Sequence, residues 1–307
     1  LNYPKTLDLK WPQPTPKGWN NRKNVGQFIW DVINPNPQRW REGIKFNHFL
    51  LTQHTSDRAR TKRVMSSLGS MYFRFLQDYP RAAYWIEKAG YRPTDGQALI
   101  VAECYWRMGY EPKAREILNQ RTLRIGMIKL WGDMGETAKA VQVAESYVRA
   151  GGSMHHAYLA AGDACRVAGQ FNKALPYYKK VASTPPKDPK DNRLKQVRSR
   201  AKASAEAVEL FELCDVAKVP DGSYRSQSIG YRGAVHIQVD VANGKITKVA
   251  VTQHQEKQFY SAIRDATEQI VAKQGVRGVD ATSRATITAE AIINATAKAL
   301  AGARSGR

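Results

Sequence analysis

Cysteine is scarce in this sequence, with three residues in 307, Cys104, Cys165 and Cys214. None stands in a CxxC or CxxCH arrangement, so the pattern offers neither a zinc ribbon nor an attached haem. Two of the three fall in helical patterns, where a small buried thiol is the ordinary reading. No run approaches eighteen consecutive apolar residues, so no stretch is long enough to cross a membrane as a helix. Acidic residues are also few: 27 Asp and Glu stand against 48 Lys and Arg, leaving a net charge of +21. A Walker loop, a Rossmann glycine fingerprint and a Gly-x-Ser-x-Gly elbow are all missing, which removes the usual nucleotide-enzyme and hydrolase sites. His155 and His156 are adjacent, so on a helix they face different directions and make a poor metal pair.

What is present is enough chain for two domains, each able to bury its own core. Hydrophobic residues at 42% and charged residues at 24% are ordinary for globular protein. The chain opens at Leu1 rather than Met, which reads as a mature chain whose leader was removed and hence an extracytoplasmic location, periplasmic or cell-surface. Residues 1–55 are irregular and rich in Pro and Trp, because Pro blocks both helix and strand. Within them Trp40 to Leu51 reads as a short helix.

From Ser56 the pattern is helical and repetitive. Gly109-x-x-x-Lys113-Ala114, Gly135-x-x-x-Lys139-Ala140 and Gly169-x-x-x-Lys173-Ala174 recur at spacings of 26 and 34 residues. The second spacing is that of a tetratricopeptide repeat. Gly at the turn permits a left-handed cap, and the small Ala lets paired helices approach. The expectation is an all-α tetratricopeptide-like solenoid of three or four helix pairs over residues 56–215, closed by a helix running to about Leu213. Val216 to Pro220 is the expected hinge.

A second domain, residues 219–303, alternates. Val235, Ile237, Val239 and Val241 share one strand face, Asn243-Gly244 makes a turn, and parity slips after Ile246 to Val249 and Val251. A slip beside Gly predicts a hairpin with a G1 bulge. Phe259, Ala262, Ile263, Ala266 and Ile270 form one helical stripe that Gly275 ends. A polar loop, Asp280 to Thr286, then feeds a last helix. Hairpin, helix, loop and helix make a small α+β domain.

That loop holds the chemistry. Thr286 or Thr288 can cap the last helix, and free N–H groups at a helix start attract anions such as phosphate. Asp280-Ala281-Thr282-Ser283-Arg284-Ala285-Thr286 resembles the Asp-x-x-Ser-Gly-Ala-Thr flavinylation signature of FMN-binding domains. Upstream, Asp221-Gly222-Ser223-Tyr224, Gly230-Tyr231-Arg232-Gly233, Asn243-Gly244-Lys245-Ile246 and His254-Gln255-Glu256 match further motifs of that family in order. The family includes the C subunit of sodium-pumping NADH:quinone reductases and the G subunit of Rnf complexes. The resemblance implies FMN carried on Thr286 through a phosphoester bond, installed by an FMN transferase that uses FAD and magnesium. It also implies that Asp280 presents the loop, that Thr282, Ser283, Arg284 and Ala285 surround the attachment point, and that Gly230, Tyr231, Gly233, His254 and Glu256 lie near the flavin. Two departures stand out: Arg284 occupies the Gly of the signature, and Lys257-Gln258-Phe259 replaces a common Thr-Pro-Gly. An Arg beside a phosphate can form a charge-assisted fork.

Tyr224, Tyr231, Phe259 and Tyr260 can flank a flat ring or simply fill the core. The expected function is an extracytoplasmic flavoprotein that relays electrons through FMN, its helical repeats docking a redox partner such as a cytochrome or a membrane oxidoreductase. The alternative is a flavin-free repeat scaffold with a degenerate FMN-binding domain. Residues 219–307 carry +5 and the remainder +16, so the positive potential lies mainly outside the flavin-type domain. It serves an anionic partner or is a solvated basic surface. Nucleic-acid binding rests on charge alone, since aromatics are not interleaved with the basic runs.

Overall fold

The computed structural model describes residues 40–53, 56–119, 123–211, 214–256, 260–280 and 286–304. Most of the irregular segment expected over 1–55 therefore lies outside the described residues. The short helix expected near its end is α1, Trp40–Gln53. The order is helices first, then a three-stranded antiparallel sheet with two more helices, which is the expected all-α region followed by α+β. The chain forms two compact units, one built from residues 1–122 with 257–260 and the other from 123–256 with 261–307.

The first unit holds α1, α2 (Arg58–Met71), α3 (Tyr79–Ala89), α4 (Gly96–Arg107) and α5 (Glu111–Leu118). Asp57 opens α2 by accepting from the Arg60 N–H at 2.9 Å, and Asp78 opens α3 the same way from Arg81 at 3.1 Å, each satisfying a donor the helix leaves free. Between them the chain makes a π turn, Tyr72–Leu76, ended by Gln77 in the left-handed region. Gly69 lets α2 and α3 close up: a Cβ there would lie 2.3 Å from Ile86 Cγ1. The core is aromatic, with Phe46, Tyr72, Phe73, Phe75 and Trp85 buried.

The second unit begins with α6 (Ile125–Asp133), α7 (Thr137–Arg149), α8 (Met154–Val167), α9 (Phe171–Ser183) and α10 (Asn192–Leu210). The three sequence repeats now have one physical cause. Gly109, Gly135 and Gly169 sit at φ 82°, 81° and 70°, and the residue after each reaches back to close the turn. Tyr110 donates to the Tyr105 carbonyl, Glu136 to Trp131 and Gln170 to Cys165, all at 2.8 Å. These are Schellman closures, each followed by a helix whose Ala, at 114, 140 or 174, is fully buried. The helix expected to end near Leu213 stops at Leu210. One side of it packs on α9 and another on the final helix.

Strands β1 (Gly222–Ile229), β2 (Ala234–Ala242) and β3 (Lys245–Gln253) follow, after a 3-10 turn at Val216–Lys218. Val235, Ile237, Val239 and Val241 all point into the core as their spacing requires. Asn243 and Gly244 both have positive φ, 52° and 67°, and they form the two-residue hairpin turn. The bulge is not at that Gly. Val241 pairs with Ile246 but Asp240 pairs with Lys248, so Thr247 is the extra residue, its hydroxyl on the Asp240 carbonyl. Helix α11 (Tyr260–Lys273) buries Ala262, Ala266 and Ile270. Its left-handed end is Gln274, not Gly275. The Gln274 side chain bonds both the N–H and the carbonyl of Ile246, which ties the helix end to β3.

The last helix, α12 (Thr286–Arg304), is buried almost all round, from Thr288 to Ala301. It crosses β1 and β2 on one side and lies against α10 on another. A helix apolar on every face belongs in an interior. No helix among the described residues is long and apolar enough to cross a membrane.

Candidate functional site

Thr286 is the first residue of α12 and half-buried. It lines a cavity of about 190 Å³ together with Ile287 and Asp280 from its own segment. The other walls come from the helical pairs: Ile125, Lys129 and Asp133 of α6, His156, Asp163 and Arg166 of α8, and Arg200 of α10. Thr288, the other candidate cap, is buried, and its hydroxyl donates to Glu256 Oε2.

The sequence motifs meet around this first turn. Glu256 accepts from the Arg232 N–H at 3.0 Å through its second oxygen, so one buried carboxylate joins the Gly230–Gly233 turn to α12. The turn is closed by Gly230 N–H on the Gly233 carbonyl at 2.7 Å. A Cβ at Gly230 would fall 2.8 Å from Glu256 Oε1, so Gly is needed for the carboxylate to approach. The ring nitrogen Nδ1 of His254 accepts from the Glu256 N–H at 3.1 Å. Glu256 is thus a brace of the first turn rather than an open edge of the cavity. Gln196 of α10 adds a second tie, donating to the carbonyls of Gly230 and Tyr231. Tyr231 itself is 43% exposed, and Tyr224 donates to the Pro220 carbonyl. Thr282, Ser283, Arg284, Ala285 and Phe259 lie outside the described residues.

Asp280 is held firmly. Its N–H and carbonyl form a pair of hydrogen bonds with the Gln269 side chain, 3.1 and 3.2 Å, and its carboxylate lies 3.4 Å from Lys129 Nζ. Lys129 also pairs with Asp133. The preceding carbonyl, Val279, receives Arg166 Nη1 at 3.5 Å.

Beneath the cavity lies a buried ionic cluster. Arg200 Nη2 donates to Glu290 Oε2 at 2.6 Å, and Tyr178 donates to Asp163 Oδ1 at 2.7 Å. Burial, then the charge of Glu290 beside it, pushes Asp163 well above the usual carboxylate range. Burial acts on Glu290 too, but the Arg200 guanidinium and the bond with Asp163 outweigh it and hold Glu290 below its ordinary value. Asp163 is therefore the protonated member of the pair. Glu290 Oε1 has no hydrogen-bond partner among the described residues. His156, whose Nδ1 is 2.8 Å from Ser153 Oγ, is kept neutral by burial and by the Arg200 charge.

None of Lys129, His156, Asp163, Arg166, Arg200 or Glu290 stands out by motif. One signal was there: Asp163, Arg166 and Glu290 each interrupt an otherwise apolar helix, and such charges are almost never buried unless paired. The three cysteines are free and buried, Cys104 and Cys165 on helices as expected. Among the described residues no cluster of three or more His, Cys, Asp or Glu could hold a metal.

Residues 230–301 match the FMN-binding domain family. The chain is 35% identical over 89 residues to an uncharacterized protein of Treponema pallidum (strain Nichols), an alignment covering 28% of this chain. The chain spans about a quarter of the length of that relative, 24%. No solved structure matches it. The α+β segment that closes this cavity is thus an FMN-binding domain by its family match, with a helical region ahead of it in the chain.

Proposed function

We propose that the protein is an extracytoplasmic electron-relay flavoprotein with FMN esterified to Thr286, and that its helical repeats dock a redox partner, a cytochrome or a membrane oxidoreductase. The observation that carries this is a threonine hydroxyl at the start of an α-helix, opening into a walled cavity, within an FMN-binding domain. In the attachment step the Thr286 oxygen bonds to the flavin phosphorus of FAD, the pyrophosphate bond breaks, AMP leaves, and the hydroxyl proton passes to solvent. An FMN transferase with magnesium catalyses that step during maturation.

The first-turn N–H groups and the positive end of α12 favour a phosphate there. Orphaned guanidinium nitrogens in the wall, Arg166 Nη2 and Arg200 Nε, suit the same charge. Whole-ligand pockets run to roughly 300–1,000 Å³, so a cavity of about 190 Å³ takes the phosphate end and leaves the ring outside. Bound FMN supplies one- and two-electron chemistry. Ile125, Leu159, Val167 and Ile287 make part of the walls apolar, and Glu256 fixes the turn that carries Thr286. The +21 charge suits an acidic partner.

Co-expression with a competent transferase tests the reading. The expected product is yellow and about 440 Da heavier than the bare chain, as FMN less water requires, and Thr286→Val stays at bare mass. Colourless protein of unmodified mass that also takes up no free flavin overturns it.

A further inference from the structure

We infer that the helical pairs, and not the FMN-binding segment alone, carry the phosphate-recognition half of the flavin site, with the Arg166 guanidinium as its principal anion ligand. The identity of the anion rests on the flavin reading above; the presence of an anion site does not.

Arg166 is 1% exposed. Nη1 makes a long hydrogen bond, 3.5 Å to the Val279 carbonyl, and the guanidinium also lies beside the Tyr178 hydroxyl. Nη2 is buried and has no partner among the described residues, and neither has Arg200 Nε. Both side chains line the cavity that Thr286 opens into. A buried donor without an acceptor is costly, and more so when it is charged, so an acceptor is what this arrangement lacks. A planar guanidinium answers phosphate oxygens with two parallel donors.

Charge counting puts the anion at this end. Arg166 and Arg200 face one ionised carboxylate, Glu290, because Asp163 holds the shared proton; one positive charge is left over. The other end is different. Lys129 lies between Asp133 and Asp280, which leaves no surplus cation there among the described residues, and His156 is neutral. An anion in the cavity is thus steered away from Lys129 and towards Arg166, where the Val279 carbonyl fixes the guanidinium seven residues before Thr286.

The test uses the full chain made without transferase, as wild type, Arg166→Met and Arg166→Lys. Inorganic phosphate is titrated against melting temperature, and FMN and riboflavin against flavin fluorescence. Wild type is expected to melt higher in phosphate and to prefer FMN over riboflavin by on the order of 10- to 100-fold, the worth of a charge-assisted pair. Arg166→Met is expected to bring that ratio close to one with riboflavin affinity unchanged, and to melt within a few degrees of wild type without ligand, since an apolar isostere replaces a buried guanidinium whose Nη2 has no acceptor among the described residues. Arg166→Lys keeps part of the ratio. Equal binding of FMN and riboflavin by wild type overturns the inference while leaving the flavin reading intact. A phosphate response lost in Arg166→Met, with neither flavin bound, supports the anion site and sinks the flavin reading. An unchanged ratio in Arg166→Met, a riboflavin loss matched by a lower melting temperature, or a wild type that ignores both phosphate and FMN also overturns it.

Discussion

The two compact units use the same turn chemistry and fill their interiors differently. Gly109 in the first unit and Gly135 and Gly169 in the second close their turns with the same bonds and left-handed backbone. The first unit then packs rings. Trp40 stacks on Phe75 at 4.9 Å, and His48 lies edge-on to Trp85 at 5.2 Å, with its Nε2 3.2 Å from the Tyr72 hydroxyl. The second buries Arg166, Arg200 and Glu290. A helical-pair scaffold is indifferent to what its inner positions carry, provided each is filled and paired. Among the described residues, Glu103 in the first unit and the brace Glu256 are buried singly, whereas Arg166, Arg200 and Glu290 are buried together on helices that wall the cavity, which marks those helices as working parts of a site rather than spacers.

The largest test of that contrast removes the acid of the second unit. Glu290→Ala strands Arg200 and the Asp163 proton, and is expected to cost roughly 3–5 kcal/mol in urea denaturation. A loss near zero would show that the cluster is an incidental feature of packing.

Acid is expected to act on both units through buried imidazoles, His156 in the second and, with the larger shift, His48 in the first. Burial, and then the Arg81 charge, lowers His48 from 6.5 to about 4. Between those values the unfolded chain binds the proton and the folded chain does not, so stability falls as pH drops through that window and is whole above it. The loss is on the order of 2 kcal/mol after allowance for partial solvation. Hydrogen exchange at pH 5 should open α1 before α8, and His48→Gln should remove the difference; α8 opening first would break the contrast.

Packing gives a smaller effect. Gly162→Ala sets a Cβ 2.6 Å from the Tyr178 ring, which is expected to cost about 1–3 kcal/mol by overpacking. The same change disturbs the Tyr178 bond to Asp163, so the midpoint should move with the FMN-to-riboflavin ratio. The smallest effect is the shared one. Gly109→Ala and Gly169→Ala meet no neighbouring atom but force φ near 80° and 70°, so each is expected to cost about 1 kcal/mol. Unequal losses at the two glycines would show that the turns are not equivalent.

Local pattern made much of this legible. The turn glycines, the buried alanines after them, the β2 alternation and the Asn243-Gly244 hairpin all follow from short-range rules. So did the order of the FMN-binding motifs. The slip after Ile246 was legible and falls at Thr247, though as a bulge separate from the Gly244 turn. One local expectation gave way to a tertiary contact, since Gln274, not Gly275, takes the left-handed end and its side chain reaches Ile246. The cavity wall was not legible. Lys129, Arg166 and Arg200 come from three helices, and their meeting with Thr286 depends on how α12 packs against α10. The same holds for Glu256, which the motif placed beside the flavin and the fold uses as a brace.

The three thiols give the molecule its own clocks. Cys104 sits fully buried in α4, Cys165 in α8, and Cys214 donates to the carbonyls of Leu210 and Ala297, the latter on α12. Burial raises all three, Cys214 to about 12, so none reacts until its surroundings open. Alkylation followed by peptide mapping therefore times the opening of each neighbourhood separately, and ligand that grips the mouth of α12 should slow Cys214 while leaving Cys104 at its own pace.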